Sequence, residues 1–159
     1  MNKRRIVLKT LASLPFLLRP SLLKAGHGDC FKLKTSLNAF SFNEPLSKGE
    51  INLFQVIDYC AEQGFDAIDT TAYYFPGYPA VPPDDYIFAL KKKAQILGLE
   101  ISGTGVRNDF TNPDAEKRQE DIQLIKNWIL VAQKLGAPVI RIFAGKGIPE
   151  GYTWEQTAA

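Results

Sequence analysis

The sequence contains a single histidine, His27, and it lies ahead of every structured pattern. The body of the chain therefore cannot assemble a Ser-His-Asp or Cys-His nucleophilic set. It holds no H-E-x-x-H, no C-x-x-C and no P-loop. Gly103-x-Gly105 is followed by Asn108 where a dinucleotide fingerprint needs its third glycine. Two cysteines, Cys30 and Cys60, make no disulfide framework. Cys60 falls on the apolar side of a helical pattern, where a small buried hydrophobe is the simplest use of it. Acidic residues are missing from the first 28 positions, whereas Lys3, Arg4, Arg5, Lys9, Arg19 and Lys24 are basic. Taking those six charges from the formal net of +2 leaves a body at −4. A slightly acidic body gives no electrostatic case for nucleic acid.

That charge asymmetry marks the N-terminus. KRRIVLK places paired arginines before apolar residues, and LASLPFLL follows. The apolar run is far short of the roughly 20 residues that a membrane span requires. The pattern resembles a twin-arginine export signal, with Val7 where that motif favours Phe. An ordinary secretory signal that happens to carry two arginines is the alternative. Residues 1–28 are expected to be the export signal, and the protein is expected to be periplasmic or otherwise exported. Beyond the signal no membrane span is expected.

What is present in the body is a repeat. Helical patterns end at Gly64, Gly98 and Gly136, which lie 34 and 38 residues apart. Each glycine is followed within a few residues by a short apolar strand pattern: FDAID, LEISGT and PVIRIFAG. An earlier strand is expected within Lys32–Phe42. Ser47 and Glu50 fit a capping box ahead of the first helix. Asn112 and Pro113 fit a cap and first-turn proline ahead of the third. That third helix, to about Leu135, carries two apolar rows: Ile122, Ile125, Ile129 and Ala132, and beside it Leu124, Trp128, Val131 and Leu135. Such a wide stripe suits a helix laid on a sheet. Lys91, Lys92 and Lys93 read as a solvated face, and TTAYYFPGYPAVPPDD as a long aromatic loop.

Successive βα units give parallel strands with right-handed crossovers. Near-regular units with no topological break favour a barrel. The expected fold class is α/β, a (β/α)8 TIM barrel with about the first four βα units present. Eight strands need on the order of 200 to 250 residues. Residues 31–159 are therefore expected to be an N-terminal half-barrel, with a half-barrel that dimerises as the alternative.

Barrel sites collect at the C-terminal ends of the strands. That placement singles out Asn38, Phe40, Asp69, Arg107, Asn108, Asp109, Arg141 and Phe143. Asp and Asn can bond vicinal hydroxyls, Arg can hold an oxyanion, and aromatics can stack on a sugar's apolar face. Each also has a structural use. Asp69 can cap the turn after its strand, Asn108 and Asp109 can form an Asx-turn, and Arg107 can pair with Asp109 or Asp114. No metal site follows from spacing, and no catalytic residue can be named.

GFDAID after a glycine-ended helix, GTGVRNDFTNPD and LGAPVIRIFAG together resemble the xylose isomerase-like barrel family, the sugar phosphate isomerase/epimerase group. The resemblance covers about Lys32 to Glu155. It implies a (β/α)8 barrel that binds a sugar or sugar derivative and moves a proton beside a carbonyl, isomerising or epimerising it with a divalent metal. The metal ligands and acid/base carboxylates would come from later strands, beyond Glu150 and Glu155. What carries over is substrate-binding wall: Asn38 and Phe40, Asp69, Arg107, Asn108 and Asp109, and Arg141. Alternatives are an exported lyase or hydrolase acting on keto-glycosides, a non-catalytic carbohydrate-binding protein, and a DNA-repair endonuclease, the last disfavoured by the export pattern and the acidic body.

Overall fold

The computed structural model describes residues 33–158. The expected export signal over residues 1–28, and Cys30, lie outside the described residues. Four strands form one parallel sheet in the order β1-β2-β3-β4, with β1 at Ser36–Asn38, β2 at Ala67–Asp69, β3 at Glu100–Gly105 and β4 at Ile140–Arg141. A 3-10 turn (Ala39–Phe42) and a short helix α1 (Asn43–Ser47) follow β1. The crossovers to β2, β3 and β4 are helices α2 (Leu53–Glu62), α3 (Asp84–Ile96) and α4 (Ala115–Leu135). A last short helix, α5, spans Trp154–Ala158. This is the expected βα repeat. Its three punctuating glycines, Gly64, Gly98 and Gly136, all adopt φ between 74° and 80°, a region that costs a side-chain-bearing residue energy.

Two helix starts differ from the expectation. Gly49, at φ 70°, follows the end of α1, so Ser47 closes a helix and Glu50 comes after it, rather than both standing ahead of one. The capping box is Asn52 with Gln55: Asn52 Oδ1 accepts from the Gln55 N–H at 3.2 Å, and Gln55 Oε1 accepts from the Asn52 N–H at 2.9 Å. At α4 the cap is Asp114, whose Oδ1 accepts from the Glu116 N–H at 2.9 Å. Asn112 instead closes an Asx-turn onto the Asp114 N–H at 3.0 Å. In both places two capping residues stood close in sequence, and the backbone chose the one already in the extended conformation.

The core lies between the sheet and its helices. Val56, Ile57 and Cys60 of α2, Ile68 of β2, Ile87 and Leu90 of α3, and Trp128, Val131 and Leu135 of α4 are all buried there. Burial also pushes the Cys60 thiol up to about 11, which suits a packing residue and not a nucleophile. Of the two apolar rows on α4, only the Trp128 row is fully used. Ile129 is 47% exposed, because α4 packs on α3 at one flank and leaves the other flank open. The lysine run is less solvated than expected: Lys93 pairs with Asp58 of α2, and Lys91 Nζ donates to the Lys134 carbonyl at 3.1 Å.

The opposite side of the sheet is small and polar, and it is concave. Lys34 pairs with Glu100, and the Ser36 and Ser102 hydroxyls meet at 2.6 Å, although β1 and β3 are not neighbours. Flat strands about 4.8 Å apart would hold β1 and β3 nearly 10 Å from each other. Two short serine side chains can touch over β2 only if the sheet curls strongly and β2 presents something small. It presents Ala67. A bulge adds to the curl: Ile68 pairs Ile101, but Asp69 pairs Gly103, so Ser102 is the extra residue. The curvature is that of a barrel wall.

Candidate functional site

The exits of β1 and β2 carry a connected polar group. Asn38 Nδ2 donates to Asp69 Oδ2 at 3.1 Å. Asn38 Oδ1 accepts from the Phe40 N–H at 2.8 Å, which also caps the 3-10 turn. The buried Thr71 hydroxyl lies 3.1 Å from Asn38 Oδ1 and 3.2 Å from Asp69 Oδ1, sharing its single proton between them. Asp69 Oδ1 further accepts from the Thr71 N–H at 2.9 Å, so the turn-capping use of Asp69 is real. These bonds hold Thr71 at φ 24°, a position that a β-branched residue rarely occupies. Strain of that kind costs roughly 1–3 kcal/mol and survives only where surrounding bonds over-determine it.

What the strained turn achieves is the placement of Tyr73. The chain leaves Thr71 into a 3-10 turn, Ala72–Tyr74, that carries Tyr73 and Tyr74 just past the end of β2. Tyr73 sits edge-on to Phe40 (6.4 Å between centroids), Tyr74 (4.9 Å) and Tyr78 (6.2 Å). Phe40 itself is half exposed, an aromatic rim beside the polar group. Tyr74 donates to Asn43 Oδ1 at 2.7 Å. Burial above all, with Tyr73 adding to it and Arg107 and Arg141 opposing, pushes the Tyr74 hydroxyl up to about 12.

The two arginines come from the neighbouring strand exits. The Arg107 guanidinium lies 4.4 Å above the centre of the Tyr73 ring. It is exposed and makes no ion pair with Asp109 or Asp114. Its backbone is pinned by Tyr78, whose hydroxyl accepts the Arg107 N–H at 2.9 Å and lies 3.3 Å from its carbonyl. Arg141 Nη2 donates to the Tyr73 hydroxyl at 3.3 Å, and its guanidinium lies 4.9 Å from the Phe143 ring centre. It rests against Gly105. A Cβ there would stand 2.9 Å from Arg141 Nη2, so the glycine makes room for the guanidinium.

Asn108 and Asp109 are used differently. Asn108 is buried, and its amide brackets the Phe143 backbone, donating to the carbonyl at 2.7 Å and accepting from the N–H at 2.8 Å. It extends the β3–β4 pairing by one side chain. Asp109 Oδ1 accepts from the Thr111 hydroxyl at 2.6 Å, the Thr111 N–H at 3.1 Å and the Lys146 N–H at 3.1 Å. Those bonds, the Thr111 hydroxyl foremost, hold its carboxyl below the ordinary value. This is the Asx-turn use. The concave centre thus gathers Asn38, Phe40, Asp69, Arg107 and Arg141, while Asn108 and Asp109 brace the β3–β4 loops beside it.

Sequence reasoning passed over Thr71, Tyr73, Tyr78 and Gly105. The aromatic stretch read only as a long loop. In fact it is tied down: Phe75 and Tyr78 pack on Trp128 at 5.3 and 5.6 Å, and Trp128 Nε1 donates to the Pro79 carbonyl at 3.1 Å. The available signal was Thr-Thr directly after a strand-end Asp, followed by paired tyrosines. A separate cleft of about 640 Å³, lined by Phe110, Asn112, Arg118, Tyr152 and Trp154, lies away from this centre.

Residues 57–159, about two thirds of the sequence, match the family described as Xylose isomerase-like TIM barrel. The chain belongs to that family. Among solved structures, a D-psicose 3-epimerase determined in the presence of D-fructose is 18% identical, with a TM-score of 0.57. The match covers 69% of this chain and 37% of that one. The probable 3-DHS dehydratase AsbF of Bacillus anthracis, involved in petrobactin synthesis, is 21% identical with a TM-score of 0.53, over 78% of this chain and 43% of that one. At such identities the likeness is one of fold. The chain spans about two fifths of the length of these solved proteins. No curated protein matches the sequence. For the xylose isomerase-like barrel wall described above, the divalent metal that the resemblance implies finds no donor set. Among the described residues no three His, Cys, Asp or Glu side chains cluster, and both Asp69 oxygens already accept bonds from Asn38 or Thr71.

Proposed function

We propose that this chain supplies the substrate-binding wall of a sugar isomerase or epimerase, an enzyme that moves a proton beside a carbonyl. The observation that carries the reading is the Asn38–Asp69–Thr71 network, set on the concave strand ends beside Phe40 and Tyr73. Half-buried donors and acceptors next to exposed ring faces suit vicinal hydroxyls on one side of a sugar and C–H bonds on the other. Asp69 and Asn38 retain bonding capacity on Oδ2 and Nδ2, each of which makes one internal bond. These residues bind and orient. Nothing among them is placed to take the proton, and the acid/base groups belong to strands that the chain does not contribute. Export is part of the same proposal, supported by the arginine pair and apolar run of residues 1–28.

The test is solvent exchange. A full-length version, in which this wall is joined to strands that carry acid/base groups, is incubated with a panel of ketoses in deuterated water, with and without added divalent cations, and followed by proton NMR. Loss of the proton signal on the carbon next to the carbonyl is the expected result. Binding of a ketose with no exchange under any condition would reduce the reading to carbohydrate binding alone, and a net elimination product would turn it into a lyase.

A further inference from the structure

We propose that Tyr78 is a positioning residue of this wall: its hydroxyl, braced from behind by Trp128, sets the backbone of Arg107 and so keeps the Arg107 guanidinium seated on the Tyr73 ring. The inference rests on the sugar-binding reading above and adds to it two residues that act through others.

Successive amides of an extended chain point to opposite edges. Past β3 the Val106 N–H still reaches β4, donating to the Arg141 carbonyl at 3.0 Å. The next amide, that of Arg107, faces the β2 side. Pairing there runs as far as the Thr70 N–H on the Gly103 carbonyl at 3.1 Å, and the chain then turns away at Thr71. Without another partner the Arg107 N–H and carbonyl would go unpaired. The Tyr78 hydroxyl meets both, accepting from the N–H at 2.9 Å and donating to the carbonyl at 3.3 Å. One phenol thus stands where a further residue of β2 would. Both jobs at once take a protonated hydroxyl, and burial above all pushes the Tyr78 hydroxyl up from its ordinary value.

The same loop holds Arg107 at a second point. Tyr73 lies under the Arg107 guanidinium at 4.4 Å, and its ring is 6.2 Å from that of Tyr78. Backbone and side chain of Arg107 are therefore both set by the loop that follows β2. That loop is in turn fixed from α4. The Trp128 indole N–H donates to the Pro79 carbonyl at 3.1 Å, and its ring lies 5.6 Å from Tyr78 and 5.3 Å from Phe75. Trp128 is fully buried, which makes it the firm end of the tether. A long exposed side chain such as Arg107 loses rotamer freedom when it meets a ligand. Fixing its backbone and stacking its head beforehand removes part of that cost.

The experiment compares variants of the full-length version used in the exchange test. Each is titrated calorimetrically with D-fructose and D-psicose, and the hydrogen-exchange rate of the Arg107 backbone amide is followed by NMR. Tyr78→Phe removes the hydroxyl and keeps the ring against Tyr73 and Trp128. It should weaken ketose binding by roughly fivefold to tenfold and speed Arg107 amide exchange by about tenfold or more. Trp128→Phe removes the bond to Pro79 and should weaken binding by roughly twofold to fivefold. Leu135→Val, at a buried position at the far end of α4 from its N-terminus, lowers the urea midpoint and should leave both readouts at the parent values. A folded Tyr78→Phe that binds ketose as the parent does would overturn the tether and leave the proposed function standing. So would a loss of affinity in Leu135→Val as large as that in Tyr78→Phe, since lowered stability alone would then account for both. Should Tyr78→Phe melt early, Trp128→Phe carries the test: parent affinity and a parent exchange rate in that variant overturn the tether. If the parent itself binds neither ketose, the sugar reading falls, and the Arg107 exchange rate alone decides whether Tyr78 holds that backbone.

Discussion

Two trios of the same composition sit on adjacent parts of the sheet and do different work. Asn38, Asp69 and Thr71 gather at the exits of β1 and β2, whereas Asn108, Asp109 and Thr111 follow β3. In the first trio the side chains bond mainly to one another, across two strands, and two of the three remain half-buried. In the second they bond to the backbone of another loop, at Phe143 and Lys146. Asn108 spends both ends of its amide on backbone and is a strut. Asn38 and Asp69 each take one backbone N–H, at Phe40 and Thr71, but Asn38 Nδ2 and Asp69 Oδ2 bond to each other and can exchange that bond for a ligand's hydroxyl at modest cost. Residue type is the same in both places, so partner type makes the distinction.

The distinction breaks most visibly in stability. Asn108→Ala removes both hydrogen bonds that a buried amide makes to the Phe143 backbone, and should cost about 2–3 kcal/mol in urea unfolding. Asn38→Ala should cost about 1–2 kcal/mol but abolish measurable sugar binding. If the two cost the same, the comparison fails. Gly105→Ala comes next. It forces Arg141 off its seat, with an expected loss of about 1–2 kcal/mol from local overpacking and a fall in sugar affinity at unchanged Asn108–Phe143 pairing, readable from amide shifts.

Acid should act on the second trio through Asp109. Its folded pKa is depressed, so its contribution is fully present above the unfolded value, about 3.9, and is lost as pH falls through the lower folded value. Urea midpoints taken from pH 5 downward should therefore fall less steeply in Asp109→Asn than in the parent, with the difference developing below about pH 4. An identical slope would mean that the carboxylate braces nothing. The smallest effect concerns a threonine that belongs to neither trio. Thr104 is buried in β3 with no partner for its hydroxyl among the described residues. Thr104→Val should stabilise by up to about 1 kcal/mol, while Thr71→Val and Thr111→Val should both destabilise. A loss at Thr104 would reveal a bond that the side chain makes elsewhere.

Much of this architecture was legible beforehand. Helix–glycine–strand punctuation at Gly64, Gly98 and Gly136 marks three crossovers because each helix end needs a left-handed residue that glycine supplies cheaply. The site was legible only in outline. Strand-end residues could be enumerated, and Asn38, Asp69, Arg107 and Arg141 do come together, but Asn108 and Asp109 looked no different from them. Tyr73 was hidden because its position depends on a backbone strain at Thr71 that no periodicity announces. Helix caps misled for a related reason: Ser47 and Asn112 are good caps by type, and backbone conformation a few residues away decided against them.

By itself the sequence determined the order of elements, the parallel sheet and the face of each helix that is buried. Those follow from local propensity and from hydrophobic spacing, which act within a few residues of one another. The tertiary structure alone decided the curl of the sheet, because Ser36 meets Ser102 only when Ala67 lies between them on a bulged, bent surface. It alone decided that one tyrosine would hold two arginines, because Tyr73, Arg107 and Arg141 are brought together from the exits of three different strands, β2, β3 and β4. Contacts of that range depend on register and curvature, which no single segment encodes.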